Sequence, residues 1–346
     1  MNYRKVMLGC VLAIGAPHGA QAADAAVAAE PEPIGYVRIC DTYGVGFYYL
    51  PGTETCLRVG GYIRYEIGVG DLFGADRDGD GRGDTYFKRA RAALKIDARS
   101  ETELGTLRRY MHINFQHDID SDGGHEAMEI ESAIIELGGL RIGVNDSLFI
   151  TFVNYAGYVS KDDVIGYGPF ATPQIAYTYK NENGFTAAVS LETGYDPFVV
   201  DSYMPHVVAG LSYAQSWGGV ALVAAYDSVS EEWSGKLRLD ATVSDTVSAF
   251  AMAGLKSDDS APYSQFYGIW GGRWALWGGA TIKASDKASV NFQLSYDEDE
   301  NFAAVANVAY QVVPDLMVTP EIGFYDNFAI DGADMIGGFV RMEASF

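Results

Sequence analysis

The sequence predicts an all-β protein, a sixteen-stranded antiparallel transmembrane β-barrel. Three observations carry that reading. Segments of about ten residues alternate apolar and polar side chains with a period of two. The polar face of neighbouring segments is charged, and such segments recur sixteen times with turn residues between them. The composition agrees, with 40 glycines, 23 tyrosines and 17 phenylalanines among 346 residues, 48% of them apolar and 20% charged. So much apolar and aromatic content excludes a disordered chain. Past the N-terminus no apolar run reaches the ~18 residues a membrane-spanning helix needs. A formal net charge of −22 argues against nucleic acid as a partner, because phosphate would be repelled over most of the surface.

The N-terminus comes first. Arg4 and Lys5 precede the apolar run from Val6 to Ala16, Pro17 follows, and Ala20-Gln21-Ala22 offers small residues to a peptidase. Residues 1–22 are therefore expected to be a signal peptide and 23–346 a single barrel domain. Loss of Arg4 and Lys5 takes the formal charge from −22 to −24. Cys10 after Leu8-Gly9 invites a lipoprotein reading, but the apolar run before it is very short. Export leaves Cys40 and Cys56 in an oxidising compartment, where a disulfide between them is the economical inference. Closing a loop of that size contributes about 3 kcal/mol of chain entropy.

The strands follow. In 57–69, Leu57, Val59, Ile63, Tyr65, Ile67 and Val69 share one face while Arg58, Tyr62, Arg64 and Glu66 share the other. The segment 86–99 repeats this, with Arg89, Arg91, Lys95, Asp97 and Arg99 on the polar face. Further segments lie at 108–116, 129–138, 140–145, 174–180, 185–192, 207–214, 220–227, 233–240, 247–255, 274–283, 289–297, 302–311, 316–325 and 336–346. Turns such as 181–184 and 314–315 alternate with longer connections. A soluble sandwich shows the same alternation, but no dry core accepts so many charges and a watery lumen does. Aromatics near strand ends suit membrane interfaces. In the final segment Ile336, Gly338, Val340, Met342, Ala344 and Phe346 fall on one face, and a terminal aromatic there is the expected assembly signal of an outer-membrane barrel.

The stretch CDTYGVGFYYLPGTETCLRVGGYIRYE (Cys40 to Glu66) resembles the N-terminal signature of the alphaproteobacterial, rhizobial-type general porin family. WGGRWALWGGA (Trp270 to Ala280), ANVAYQVVPDLMVTPEIGF (Ala306 to Phe324) and GFVRMEASF (Gly338 to Phe346) resemble the same family in the same order. The resemblance implies an outer-membrane homotrimer; membrane lipid and, through divalent ions on the acidic loop 71–84, lipopolysaccharide are its expected partners. The same resemblance implies a water-filled channel for passive diffusion of small hydrophilic solutes and ions; neither catalysis nor a cofactor is expected. It also implies a third extracellular loop folded into the pore.

The candidate for that inward-folded constriction loop is the connection from Asp146 to Thr172, the longest in the first half of the chain. Leu148, Phe149, Ile150, Phe152, Val153, Tyr155 and Tyr158 give it something to pack against. Its acids are Asp146, Asp162 and Asp163. Facing them is an expected basic wall of Arg58, Arg64, Arg89, Arg91, Lys95 and Arg99, with Arg108 and Arg141 on the following strands. Opposed rows of carboxylate and guanidinium set up a transverse field that orients dipolar solutes. The plainer reading of any one of these arginines is a salt bridge near a rim.

Two other constellations invite a site reading. Asp76, Asp78, Asp80 and Asp84 with Gly81 resemble the opening of a calcium loop, but Phe87 stands where a bidentate Glu belongs, so a solvated acidic loop is the competing reading. His112, His117 and His125 lie near Asp118, Asp120 and Asp122 without the spacing of a metal motif, and read as solvated rim histidines. Neither G-x-S-x-G nor G-x-x-x-x-G-K-[ST] occurs. A general diffusion channel is thus expected, with weak cation preference from the acidic stretches 76–84 and 297–300. The alternatives are a solute-specific channel of the same fold, a barrel enzyme or an adhesin.

Overall fold

The structure, a computed structural model, describes residues 38–120 and 123–346. The expected signal peptide and Asp122 lie outside the described residues. The strands are β1 (Tyr48–Tyr49), β2 (Cys56–Val69), β3 (Phe87–Thr102), β4 (Gly105–Asp120), β5 (Gly123–Leu137), β6 (Leu140–Asp146), β7 (Ala171–Lys180), β8 (Phe185–Glu192) and β9 (His206–Gln215). They continue as β10 (Gly218–Asp227), β11 (Glu232–Ser244), β12 (Val247–Lys256), β13 (Trp274–Ser285), β14 (Ala288–Asp297), β15 (Asn301–Val313), β16 (Leu316–Asn327) and β17 (Met335–Ser345). Two single-turn α-helices, α1 (Gly70–Phe73) and α2 (Leu148–Thr151), and a 3-10 turn at Asp41–Tyr43 complete the elements among the described residues.

From β2 onward each strand pairs antiparallel with the next, and β17 returns to pair with β2, setting Arg341 opposite Glu66. The sixteen strands β2–β17 therefore close into a barrel. The seam has a patch: β17 does not reach the first residues of β2, and β1 takes that edge, with Tyr49 opposite Cys56. The Cys40–Cys56 disulfide fixes β1 there, with Phe47 buried against it. Several strands outrun their expected bounds. The β3–β4 ladder, for example, continues to Thr102 opposite Gly105, because two extended chains joined by a tight turn keep pairing until the turn itself. One end of the barrel thus carries tight turns and the other carries longer loops, numbered here in chain order.

Burial inverts the pattern of a soluble protein. Ile63 of β2 and Ile322 of β16 are each 57% exposed on the outer face, whereas Glu66, on the same strand as Ile63, is 2% exposed on the inner face. An exterior of exposed aliphatics and an interior of buried charge fits a cylinder in lipid. Outward aromatics gather near the strand ends: Trp274 stands 5.8 Å from Tyr296, and Phe302 stacks 5.7 Å from Phe328 at the loop end, while Tyr177, Tyr179, Tyr213 and Trp217 mark the turn end.

Candidate functional site: the passage beside loop 3

Loop 3 (residues 147–170) enters the barrel through α2. The Ser147 hydroxyl caps α2 by accepting the Phe149 N–H and donates to Glu192 of β8 at 2.7 Å, while Leu148 N–H donates to the same carboxylate at 2.9 Å. Leu148, Phe149, Ile150 and Val153 then bury against Val208 of β9, Val223 and Ala225 of β10, Met252 of β12 and Ala275 and Trp277 of β13. A backbone inside a barrel must find partners for its own polar groups. Here the wall supplies them one strand at a time. Lys236 Nζ of β11 donates to the Tyr167 carbonyl at 2.7 Å, and Arg238 of the same strand to the Tyr155 carbonyl at 2.6 Å. Trp277 Nε1 reaches the Ile165 carbonyl at 3.0 Å, Gln293 of β14 the Asp162 carbonyl at 2.7 Å, and Asn307 of β15 the Tyr158 carbonyl at 3.1 Å. Glu321 of β16 accepts the N–H groups of Ser160 and Lys161.

The loop thus occupies one half of the inner wall. The other half, β2–β6 with β17, carries charge. All eight basic residues expected there lie on its inward face, and the register distributes them along the axis. Toward the loop end, Arg89 makes two 2.8 Å bonds to Asp118, and Arg341 donates to Glu66 at 2.7 Å. Arg64 donates to Glu343 at 2.7 Å, and Arg91 donates to Gln116 at 2.8 Å with Glu129 and Glu131 beyond it. Toward the turn end, Arg99 and Arg108 converge on Asp97, while Arg108 and Arg141 share Glu136. Arg58 is 3.9 Å from Asp97 and its guanidinium lies over the Phe47 ring. Lys95 sits between the two groups, 5.3 Å over Tyr62. The wall is therefore a lattice of crossed guanidinium and carboxylate groups. Arg341, Glu343 and Glu136 were not singled out from sequence, and Asp118 was noted only beside the histidines, although their parity on their strands placed them inward.

The loop acids divide. Asp146 ends β6 and is engaged by the Tyr155 hydroxyl. Asp162 accepts from Tyr167 at 2.7 Å, and burial, aided by the neighbouring Asp163 charge, pushes its carboxyl up to about 7. Asp163 is exposed.

One histidine expectation is corrected, and a further histidine is found buried. His112 lies mid-strand in the inner wall, its ring 6.3 Å edge-on from Tyr62, because its parity on β4 turns it inward. His206 is buried at the start of β9, stacked 4.9 Å from Phe266 with Nε2 at 2.9 Å from the Phe198 carbonyl. His125 approaches Asp120 at 3.6 Å and Asp118 at 3.9 Å, but Asp118 already holds Arg89. In loop 1 (residues 70–86), carboxylates of Asp76, Asp78 and Asp84 converge. Backbone amides claim them: Asp76 accepts Gly79 N–H at 2.7 Å and Gly81 N–H at 2.8 Å, which holds its carboxyl below the usual range, and Asp84 accepts Arg77 N–H at 3.0 Å. Asp80 turns to Arg82 N–H at 2.8 Å.

A closed barrel with a lipid-facing exterior, one half of its lumen filled by a tethered loop and the other half lined by hydrated charge, is an outer-membrane channel. Residues 24–338 match the family model described as Porin subfamily, and the chain belongs to that family. Over the full length of both chains it is 43% identical to Porin Omp2a of Brucella melitensis and 44% identical to Porin Omp2b of Brucella suis. Its fold is shared with the outer membrane channel DcaP of Acinetobacter baumannii, at a TM-score of 0.66 and 18% identity over 86% of this chain and 99% of that one. It is shared too with an anion-selective porin from Comamonas acidovorans, at a TM-score of 0.55 and 14% identity over 85% and 100% of the two chains.

Proposed function

We propose that this porin is a general diffusion channel for small hydrophilic solutes and ions, acting passively without catalysis. One observation carries the reading. Between loop 3 and the β2–β6 wall, Arg64, Arg89, Arg91 and Arg341 are each crossed with a carboxylate or amide of a neighbouring strand. Such a surface holds water and a strong local field, which favours dipolar solutes over apolar ones. Its charges are largely compensated, so it does not grip one solute. In this reading the Arg64–Arg91 region and the exposed Asp163 face each other across the narrowest section. The acidic loops supply a weak cation preference.

The homotrimer and the contact with lipopolysaccharide belong to the same reading, supported by family membership and by the apolar exterior. Flux settles the central point. Conductance in planar bilayers and swelling of proteoliposomes are expected to rise linearly with solute concentration across unrelated sugars and salts. Saturation by one sugar or one anion would establish a solute-specific channel instead.

A further inference from the structure

Loop 1 turns into the barrel at its first residue. Gly70, at φ +80°, bridges to Gly337 of β17, and α1 then lies on the lumen face of β2, β16 and β17. Phe73 is buried there, its ring 6.2 Å edge-on from the inward Phe339. The seat is made of missing side chains. A Cβ on Gly68 would stand 1.9 Å from the Phe73 carbonyl oxygen, one on Gly323 2.4 Å from its Cζ, and one on Gly337 2.8 Å from its backbone nitrogen. Three adjacent strands are thus emptied at one inward level for a single residue, since real Cβ atoms do not approach other atoms so closely. Arg82 fastens the loop from above, donating to Asp71 at 2.7 Å and to the Gly332 carbonyl of loop 8 (residues 328–334). Phe339 is shared, because Lys161 at the tip of loop 3 places Nζ 4.8 Å from the centre of the same ring.

We propose that loop 1 is a second size-determining element of the passage, and that Phe73 is the residue that positions it. The glycine seat draws α1 over the lumen, and Phe339 joins it to the tip of loop 3, so the two loops bound one opening together. Flux through a water-filled pore is set at its narrowest section. An aromatic anchor in a fitted recess keeps the segment there rather than in the solvent beyond the barrel. This proposal rests on the channel reading and deepens it.

Single-channel conductance, and proteoliposome swelling with uncharged sugars of increasing size, test the proposal. Phe73→Ala is expected to raise conductance by roughly 1.5-fold or more and to admit larger sugars than the wild type. Arg82→Ala touches no strand of the barrel and is expected to shift sugar exclusion in the same direction by a smaller factor; it is read alone if Phe73→Ala fails to fold. Wild-type conductance and an unchanged sugar cut-off in folded variants overturn the role of loop 1 while leaving the channel intact. A wild type that passes neither ions nor sugars removes the channel reading itself.

Discussion

The Glu321 carboxylate on β16 accepts the backbone N–H of Lys161 at 2.9 Å, across 160 residues of sequence. The same group takes the Ser160 N–H and the Asn307 amide, so one buried acid holds the far tip of loop 3 against the wall.

Glu321→Ala strips two loop N–H groups of their acceptor in an interior where an unpaired amide costs about 1–3 kcal/mol. The tip is expected to detach, and single-channel records to show more rapid flicker than the wild type at the same pH. A quiet trace at wild-type conductance would count against the tether.

The Asp162 carboxyl, pushed up to about 7 by burial and by Asp163, makes loop docking depend on pH. Its ordinary value is 3.8, so the docked loop holds a proton that the released loop gives up between those two values. The sign follows from linkage: docking is at full strength below about pH 4 and is lost progressively as pH rises through 7. Conductance noise is therefore expected to grow from pH 5 to pH 8, and Asp162→Asn to abolish most of that growth. An unaltered pH profile in Asp162→Asn would show that other groups are responsible.

Replacing both Cys40 and Cys56 by Ser frees the segment that carries β1. Because β1 covers only the edge that β17 leaves open, the barrel is expected to form but to unfold more readily, by about 3 kcal/mol on the chain-entropy estimate. Thermal unfolding in detergent, followed by far-ultraviolet circular dichroism, measures it. An unchanged midpoint would mean that β1 holds its place through pairing and Phe47 alone.

The acidic turn of loop 1 is expected to set ion preference. Converting Asp76, Asp78 and Asp80 to Asn removes three negative charges beside the entrance, those of Asp78 and Asp80 exposed and that of Asp76 half-buried, without touching the barrel strands. The reversal potential in a potassium chloride gradient is expected to favour cations in the wild type and to move toward zero in the triple variant. A wild-type potential favouring anions would place control of selectivity with the arginines of the wall.

All sixteen barrel strands were legible, because alternation is a local property and each strand shows it alone. The inward orientation of Arg58, Arg64, Arg89, Arg91, Lys95, Arg99, Arg108 and Arg141 was legible for the same reason. Their partners were not. Whether Glu66 meets Arg89 or Arg341 depends on which strands become neighbours, and Arg341 lies 275 residues away. The inward faces of β8–β10 and β13 were obscure too: Ala188, Val208, Val223 and Ala275 put apolar side chains on the inner face as well as the outer one, a pattern that makes sense only once loop 3 covers them. The tuck of loop 1 was invisible in sequence, since Gly68, Gly323 and Gly337 are unremarkable until one aromatic ring fills the space above all three.

The ladder between β2 and β17 carries a further consequence, one of timing. The first long strand made has no second neighbour until the last one exists, so throughout synthesis and transit it presents a bare row of amide donors and acceptors to every other nascent copy. Completion of the cylinder is therefore a late, concerted event governed by contacts distant in the chain, which are intrinsically slow to form.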